Sequence, residues 1–184
     1  VLEVAPVERG ADDLRWFVME LLEGTDLADE LAARRTLTAP HAVRVAIGLA
    51  DGLAAAHGVG VIHRDLKPEN VYLVRAPDQL ERIKVLDFGF AWILGAGDDI
   101  ERPRLTTRGG FVGTPEYVAP EQAQGALGHP AADIYSLGVL LYEAIGGQVP
   151  FRGATWLETV QLHAAGNLTD PPGISPPLSR VRRI

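Results

Sequence analysis

The sequence predicts an α+β chain in which strands come first and helices dominate afterwards. Three stretches carry that prediction. "RWFVMELLEG" (15–24) is a short apolar run with aromatic and branched residues, closed by glycine, and reads as a strand. "TAPHAVRVAIGLADGLAAAHG" (38–58) has helical spacing between clear start and stop signals. "ADIYSLGVLLYEAIGG" (132–147) is apolar nearly all round, which predicts a buried helix.

Taken in order, "VLEV" (1–4) is placed to pair with 15–24 as a hairpin across the polar segment 5–14. A two-stranded hairpin is marginal in water, so it must pack on something. "TDLADELAARR" (25–35) begins with Thr25 or Asp26 as N-cap and puts Leu27 and Leu31 on one face. In the 38–58 helix Thr38 can cap, Pro40 sits in the first turn and Gly58 is placed to end it. Val43, Ile47, Ala50 and Ala54 share a stripe with Ala46, Leu49 and Leu53 beside it, predicting a wide buried face. Pro68 discourages any helical continuation, so "VIHRDLKPEN" (61–70) is a loop. "VYLV" (71–74) and "IKVLDFGF" (83–90) read as antiparallel strands across 75–82. Residues 91–131 lack sustained periodicity and hold seven glycines, the mark of a functional or mobile segment. "TWLETVQLHAAG" (155–166) is a further helix, followed by the Pro-rich connection "NLTDPPGISPPLSR" (167–180).

The 184 residues suit one ordinary domain, and 47% hydrophobic with 22% charged residues is a globular composition. The net charge is −7 and the basic side chains form no stripe, which argues against nucleic acid or an anionic membrane as partner. Absence of cysteine excludes disulfides and thiolate metal sites. No apolar run approaches a membrane span and the first residues do not resemble a signal peptide, so a cytoplasmic chain is expected, with a membrane anchor outside these residues as the alternative.

The chemistry is concentrated in "VIHRDLKPENVYLV" (61–74), where six polar residue types crowd between apolar runs. "HRDLKPEN" (63–70), "DFG" (87–89), "GTPEYVAPE" (113–121) and "DIYSLGVLLYE" (133–143) follow in one order. Singly such short motifs recur by chance; together, at this spacing, the chain resembles the catalytic half of protein kinases from residue 15 to about 163. It is similar to bacterial serine/threonine kinases of the eukaryotic-like type. The resemblance implies a protein-kinase-like fold, mainly the helical C-lobe, with a two-stranded remnant of the N-lobe sheet. Residues 1–24 would be that remnant and the hinge, and 25–184 a C-lobe truncated at its C-terminus.

The resemblance also implies roles. Asp65 matches the catalytic base that orients a substrate hydroxyl, and Lys67 the residue that reaches the transferred phosphate. Asn70 and Asp87 match the positions that hold Mg²⁺, a hard cation suited to oxygen ligands. Met19 corresponds to the gatekeeper and Glu20 to Leu22 to the hinge, with Tyr72 where an aliphatic residue usually floors the adenine ring of ATP. Read alone, Lys67 is an exposed turn lysine and Asn70 a turn residue. His63 and Phe88 are implied to stack as structural residues, beside Gly89 of the same motif. Asp133, costly in a buried helix unless it accepts hydrogen bonds, would find partners in the loop backbone and Arg64. Thr114 and Lys67 point to serine/threonine hydroxyls of proteins as substrates, Thr114 contacting both Asp65 and Lys67. Arg64 would pair with a phosphothreonine, for which Thr106 and Thr107 are the candidates; both also read as ordinary loop threonines.

Two family features are missing. A clamp on ATP needs a glycine-rich loop and a strand lysine, yet the chain has only Lys67 and Lys84. Glu121 would pair with an arginine of a late helix, for which Arg180, Arg182 and Arg183 are imperfect substitutes by position. The chain therefore reads as a kinase cut at both ends, with weak activity of its own. A second reading is a catalytically dead kinase-like binding module or truncated relic. Phosphotransferases acting on small-molecule alcohols share the Asp and Asn spacing but lack the "APE" segment.

Overall fold

A computed structural model describes residues 8–9, 15–16, 19–75, 81–88, 114–125, 129–169 and 171. β1 (Glu8–Arg9) pairs antiparallel with β2 (Arg15–Trp16). The strand expected over 15–24 is therefore divided. Met19–Glu23 has no regular structure, and the chain re-enters a sheet at β3 (Gly24–Asp26). The partner of β2 lies in the segment read as a polar connection, while "VLEV" lies outside the described residues. β3 passes so close to β4 that residue 24 must be glycine: a Cβ there would fall 2.1 Å from the Leu73 carbonyl oxygen, at φ 157°.

β3 pairs antiparallel with β4 (Val71–Arg75), which pairs antiparallel with β5 (Glu81–Val85), giving the order β3-β4-β5. The register runs from Val71↔Val85 to Arg75↔Glu81. β5 starts and stops earlier than the 83–90 reading. It ends at Val85 because Asp87 adopts φ 55°, which a strand does not accommodate.

The helices follow their signals more closely. α1 (Leu27–Arg34) is capped by the Asp26 carboxylate, which accepts from the Asp29 N–H at 2.8 Å, and it buries Leu27 and Leu31. α2 (Ala39–His57) has Pro40 in its first turn and Gly58 beyond its end; Thr38 stands at the N-cap without a side-chain cap bond. Its buried face is Ala42, Val45, Leu49 and Leu53, whereas Val43 and Ile47 are 50% and 57% exposed. The predicted stripe is thus rotated by about one residue. α2 is apolar on several sides, so periodicity alone admits both stripes, and the helix and sheet that dock on it make the choice. α3 (Pro120–Ala123) and the 3-10 turns Pro68–Asn70 and Pro115–Tyr117 were not anticipated. α4 (Pro130–Gly146) and α5 (Trp156–Ala165) match the expected helices.

α2 lies against both α4 and β5, with α1 closing one side. Gly48 and Gly52, one helical turn apart, make room for Ile83 and Val85, two residues apart on one face of β5. The core joins Leu27, Leu49, Leu53, Leu66, Val71 and Leu140, each buried to 1% exposure or less. Full burial of side chains this size stabilises by roughly 1.5–3 kcal/mol apiece, which anchors the 61–70 loop through Leu66. Among the described residues no helix is long and apolar enough to cross a membrane.

Candidate active site

The 61–70 loop connects α2 to β4, and side chains from other elements grip its backbone groups. His63 is fully buried, and its ring lies 5.0 Å from that of Phe88. Its Nε2 contacts the Leu86 carbonyl at 2.8 Å, and the Asp65 N–H donates to its Nδ1 at 3.3 Å. A carbonyl can only accept, so Nε2 carries the proton and both nitrogens of a neutral ring are satisfied. Burial holds its pKa below the ordinary histidine value, against the pull of the Leu86 carbonyl. A ring so engaged is not available as a metal ligand.

Leu86 fixes the next contact. Its N–H donates to the Asn70 carbonyl at 2.8 Å while its own carbonyl takes His63, so Asp87 emerges from a peptide tied at both sides. Asp87 is exposed with φ 55°, a left-handed conformation that aspartate tolerates better than most residues. Asn70 is buried and its Nδ2 donates to the Asp65 carbonyl at 2.8 Å, leaving its oxygen as an acceptor. The Asp65 carboxylate is half exposed and lies 3.1 Å from the Lys67 ammonium. An exposed carboxylate, an ammonium and two hard oxygen donors are thereby gathered around one turn.

α4 is the platform beneath them. Asp133 is 1% exposed, and its carboxylate accepts from the N–H groups of His63 (2.9 Å) and Arg64 (2.8 Å) and contacts His57 Nε2 at 2.7 Å. Arg64 is held at φ 70°, a conformation that costs on the order of 1–3 kcal/mol outside glycine and persists only when its surroundings impose it. One turn along α4, the Ser136 hydroxyl donates to the Tyr117 carbonyl at 2.7 Å. Further along still, Glu143 accepts from the Tyr117 hydroxyl at 2.6 Å. Burial raises the pKa of the Glu143 carboxyl and of the Tyr117 phenol, so that hydrogen bond lies in a poorly hydrated place. α4 therefore carries both the 63–64 backbone and the 115–117 turn.

Tyr72 of β4 stands opposite Asp26 on one side and Lys84 on the other, so the three share a face. The Lys84 ammonium pairs with the Glu20 carboxylate, which brings the 19–23 segment to the same face. Glu23 secures that segment by accepting from the Arg75 N–H at 2.8 Å. Met19 and Leu21 are 42% and 92% exposed there, with Leu22 half-buried.

Residues 7–171 match the protein kinase domain family. The chain belongs to the protein kinase family. It is similar to serine/threonine-protein kinase pkn3 of Myxococcus xanthus, at 38% identity over 99% of the chain and 31% of that relative. It is also similar to serine/threonine-protein kinase PkaA of Streptomyces coelicolor, at 39% identity over 92% of the chain and 30% of the relative. Against serine/threonine-protein kinase PknL of Mycobacterium tuberculosis the identity is 40%, over 82% of the chain and 35% of the relative. The chain thus spans about a third of the length of these curated relatives.

Within this kinase domain the structure gathers Asp65, Lys67 and Asn70 in one turn and joins Glu20 to the Tyr72 face through Lys84. Thr114 is half-buried, and no hydrogen bond joins its hydroxyl to Asp65 or Lys67 among the described residues. The contact expected of it is not made in this arrangement. Arg64 meets Asp133 through its backbone N–H, and His57 is a partner of Asp133 that the motif reading did not include. Gln122 was likewise missed, although "APEQ" placed it beside Glu121. Gly89, Thr106, Thr107, Arg180, Arg182 and Arg183 lie outside the described residues.

No group of three or more histidine, cysteine or acidic residues among the described residues could hold a metal on protein ligands alone.

Proposed function

We propose that this chain is the catalytic part of a serine/threonine protein kinase that transfers the γ-phosphate of ATP to serine and threonine hydroxyls of proteins. The observation that carries this reading is the Asp65–Lys67 pair at 3.1 Å, with the Asn70 amide holding the Asp65 carbonyl at 2.8 Å. Asp65 orients the substrate hydroxyl and accepts its proton; Lys67 lies beside it to offset charge on the moving phosphoryl group. Asn70 and Asp87 present the oxygens that would hold Mg²⁺, which when bound supplies charge neutralisation for the phosphates. Met19, Glu20, Leu22 and Tyr72 line the nucleotide face, where Tyr72 offers an aromatic surface to the base. Thr114 matches the position that contacts the Asp65 and Lys67 equivalents in serine/threonine kinases. Thr106 and Thr107 are the phosphorylation sites, answered by Arg64. His63, Phe88, Gly89, Glu121 and Asp133 hold the frame. ATP as donor places the reaction in the cytoplasm.

Both lysines of the chain are already engaged, Lys67 with Asp65 and Lys84 with Glu20. The test is transfer of labelled γ-phosphate from ATP·Mg²⁺ to a generic protein substrate by the natural protein carrying this chain, with the labelled amino acids identified. Label on serine and threonine supports the reading. Label on tyrosine alone, or no Mg²⁺-dependent transfer, refutes it.

A further inference from the structure

Gln122, on α3, is a buried amide at 6% exposure with both ends committed to backbone. Its Oε1 accepts from the Ala119 N–H at 3.1 Å and its Nε2 donates to the Arg64 carbonyl at 2.9 Å. An N–H can only donate and a carbonyl can only accept, so these partners fix the orientation of the amide. Arg64 is the residue at φ 70°, and Asp65 follows it directly.

The peptides on either side of Arg64 are held from different helices. The peptide before it is held by Asp133 of α4, through the Arg64 N–H at 2.8 Å. The peptide after it, which carries Asp65, is held at its carbonyl by Gln122 of α3 at 2.9 Å. That peptide's own N–H makes only the longer 3.3 Å contact with His63. Without Gln122 the Arg64–Asp65 peptide could rotate out of its strained setting and carry the Asp65 carboxylate with it.

We propose that Gln122 is a positioning residue that locks the Arg64–Asp65 peptide and so couples the 114–123 segment to the aim of Asp65. The consequence for catalysis rests on the kinase reading above; the lock itself does not. A misplacement of about 1 Å at a reacting group can cost on the order of 100-fold in rate.

The test substitutes Gln122→Glu and Gln122→Met in the natural protein. Gln122→Glu keeps shape and the acceptor for Ala119 but turns a carboxylate toward the Arg64 carbonyl. The expected result at pH 8 is a fall in kcat of about 10-fold or more with KM for ATP unchanged, consistent with a misaimed group. Lowering the pH protonates the introduced carboxyl, restores a donor and recovers kcat relative to wild type. Gln122→Met loses kcat without that recovery. Amide hydrogen exchange across residues 63–66 quickens in both variants. Unchanged kcat and unchanged exchange in Gln122→Glu would overturn the proposal. So would parallel losses of kcat, ATP affinity and melting temperature with no recovery at lower pH. If wild type transfers no phosphate the kinase reading fails, and exchange at 63–66 alone decides the lock.

Discussion

Asp133 shows how a single residue can set a site it does not enter. A carboxylate in the middle of a buried helix is unfavourable by itself, and it is retained here by two backbone N–H donors and His57. Asp133→Asn keeps the shape but sets an NH₂ group against a donor. We expect it to cost about 3 kcal/mol in urea unfolding, and a loss below about 1 kcal/mol would contradict the role given to the carboxylate. Two buried histidines add a pH dependence. His63 and His163 are both held below the usual histidine pKa, first by burial. His163 is 3% exposed, with its Nδ1 2.6 Å from the Tyr135 hydroxyl. The unfolded chain takes up protons near pH 6.5 that the folded rings resist. The stability they contribute is therefore complete above about 6.5 and falls as pH drops toward their lowered values. Glu143 has the opposite sign, since burial raises its carboxyl. Melting temperature should fall from pH 7 to pH 5, and His163→Gln should show a smaller acid loss than wild type. An equal acid loss would rule His163 out as a contributor.

Among the elements, the contact between α2 and β5 gives the sharpest expectation. A Cβ on Gly48 would lie 2.7 Å from the Ile83 Cβ, which is branched and fixed in the sheet; on Gly52 it would lie 3.2 Å from a Val85 methyl. Replacing glycine by alanine in a helix favours folding by about 1 kcal/mol, whereas overpacking costs about 1–3 kcal/mol. Gly48→Ala is therefore expected to be net destabilising and Gly52→Ala neutral or slightly stabilising, as read by denaturant titration of the pair. The reverse order would show that β5 does not dock as described. The same contact explains what the sequence could and could not disclose. α1 was legible because its Asp26 cap and apolar spacing agree, and α4 because a run apolar nearly all round must be a buried helix. The buried stripe of α2 was not, because Val43 and Ile47 match the periodicity as well as Val45 and Leu49 do. Residues distant in sequence, on α4 and β5, choose between them. β3 was hidden by its length of three residues and by Asp26, whose capping role dominates the local pattern.

Across the whole molecule, α4 ties two separate stretches together, the 63–64 backbone through Asp133 and the 115–117 turn through Ser136 and Glu143. Gln122 closes the circuit from α3 to Arg64. The residues proposed to carry the chemistry stand out in the sequence because phosphoryl transfer asks for those types at that spacing. Their supports were less so: Gln122 and Ser136 act through carbonyls at long range, which leaves no constraint on the residue at the other end, and His57 meets the Asp133 carboxylate 76 positions away in sequence. Lys84 was visible only as a lysine in the wrong place for a phosphate clamp, and its pairing with Glu20 needed the fold. The central claim is that this frame exists to aim Asp65. It is tested most directly by comparing wild type with Asp65→Asn for Mg²⁺-dependent transfer of the γ-phosphate to protein. The predicted result is a loss of kcat of at least about 100-fold, with ATP affinity and melting temperature unchanged. Transfer at the wild-type rate by Asp65→Asn would contradict it.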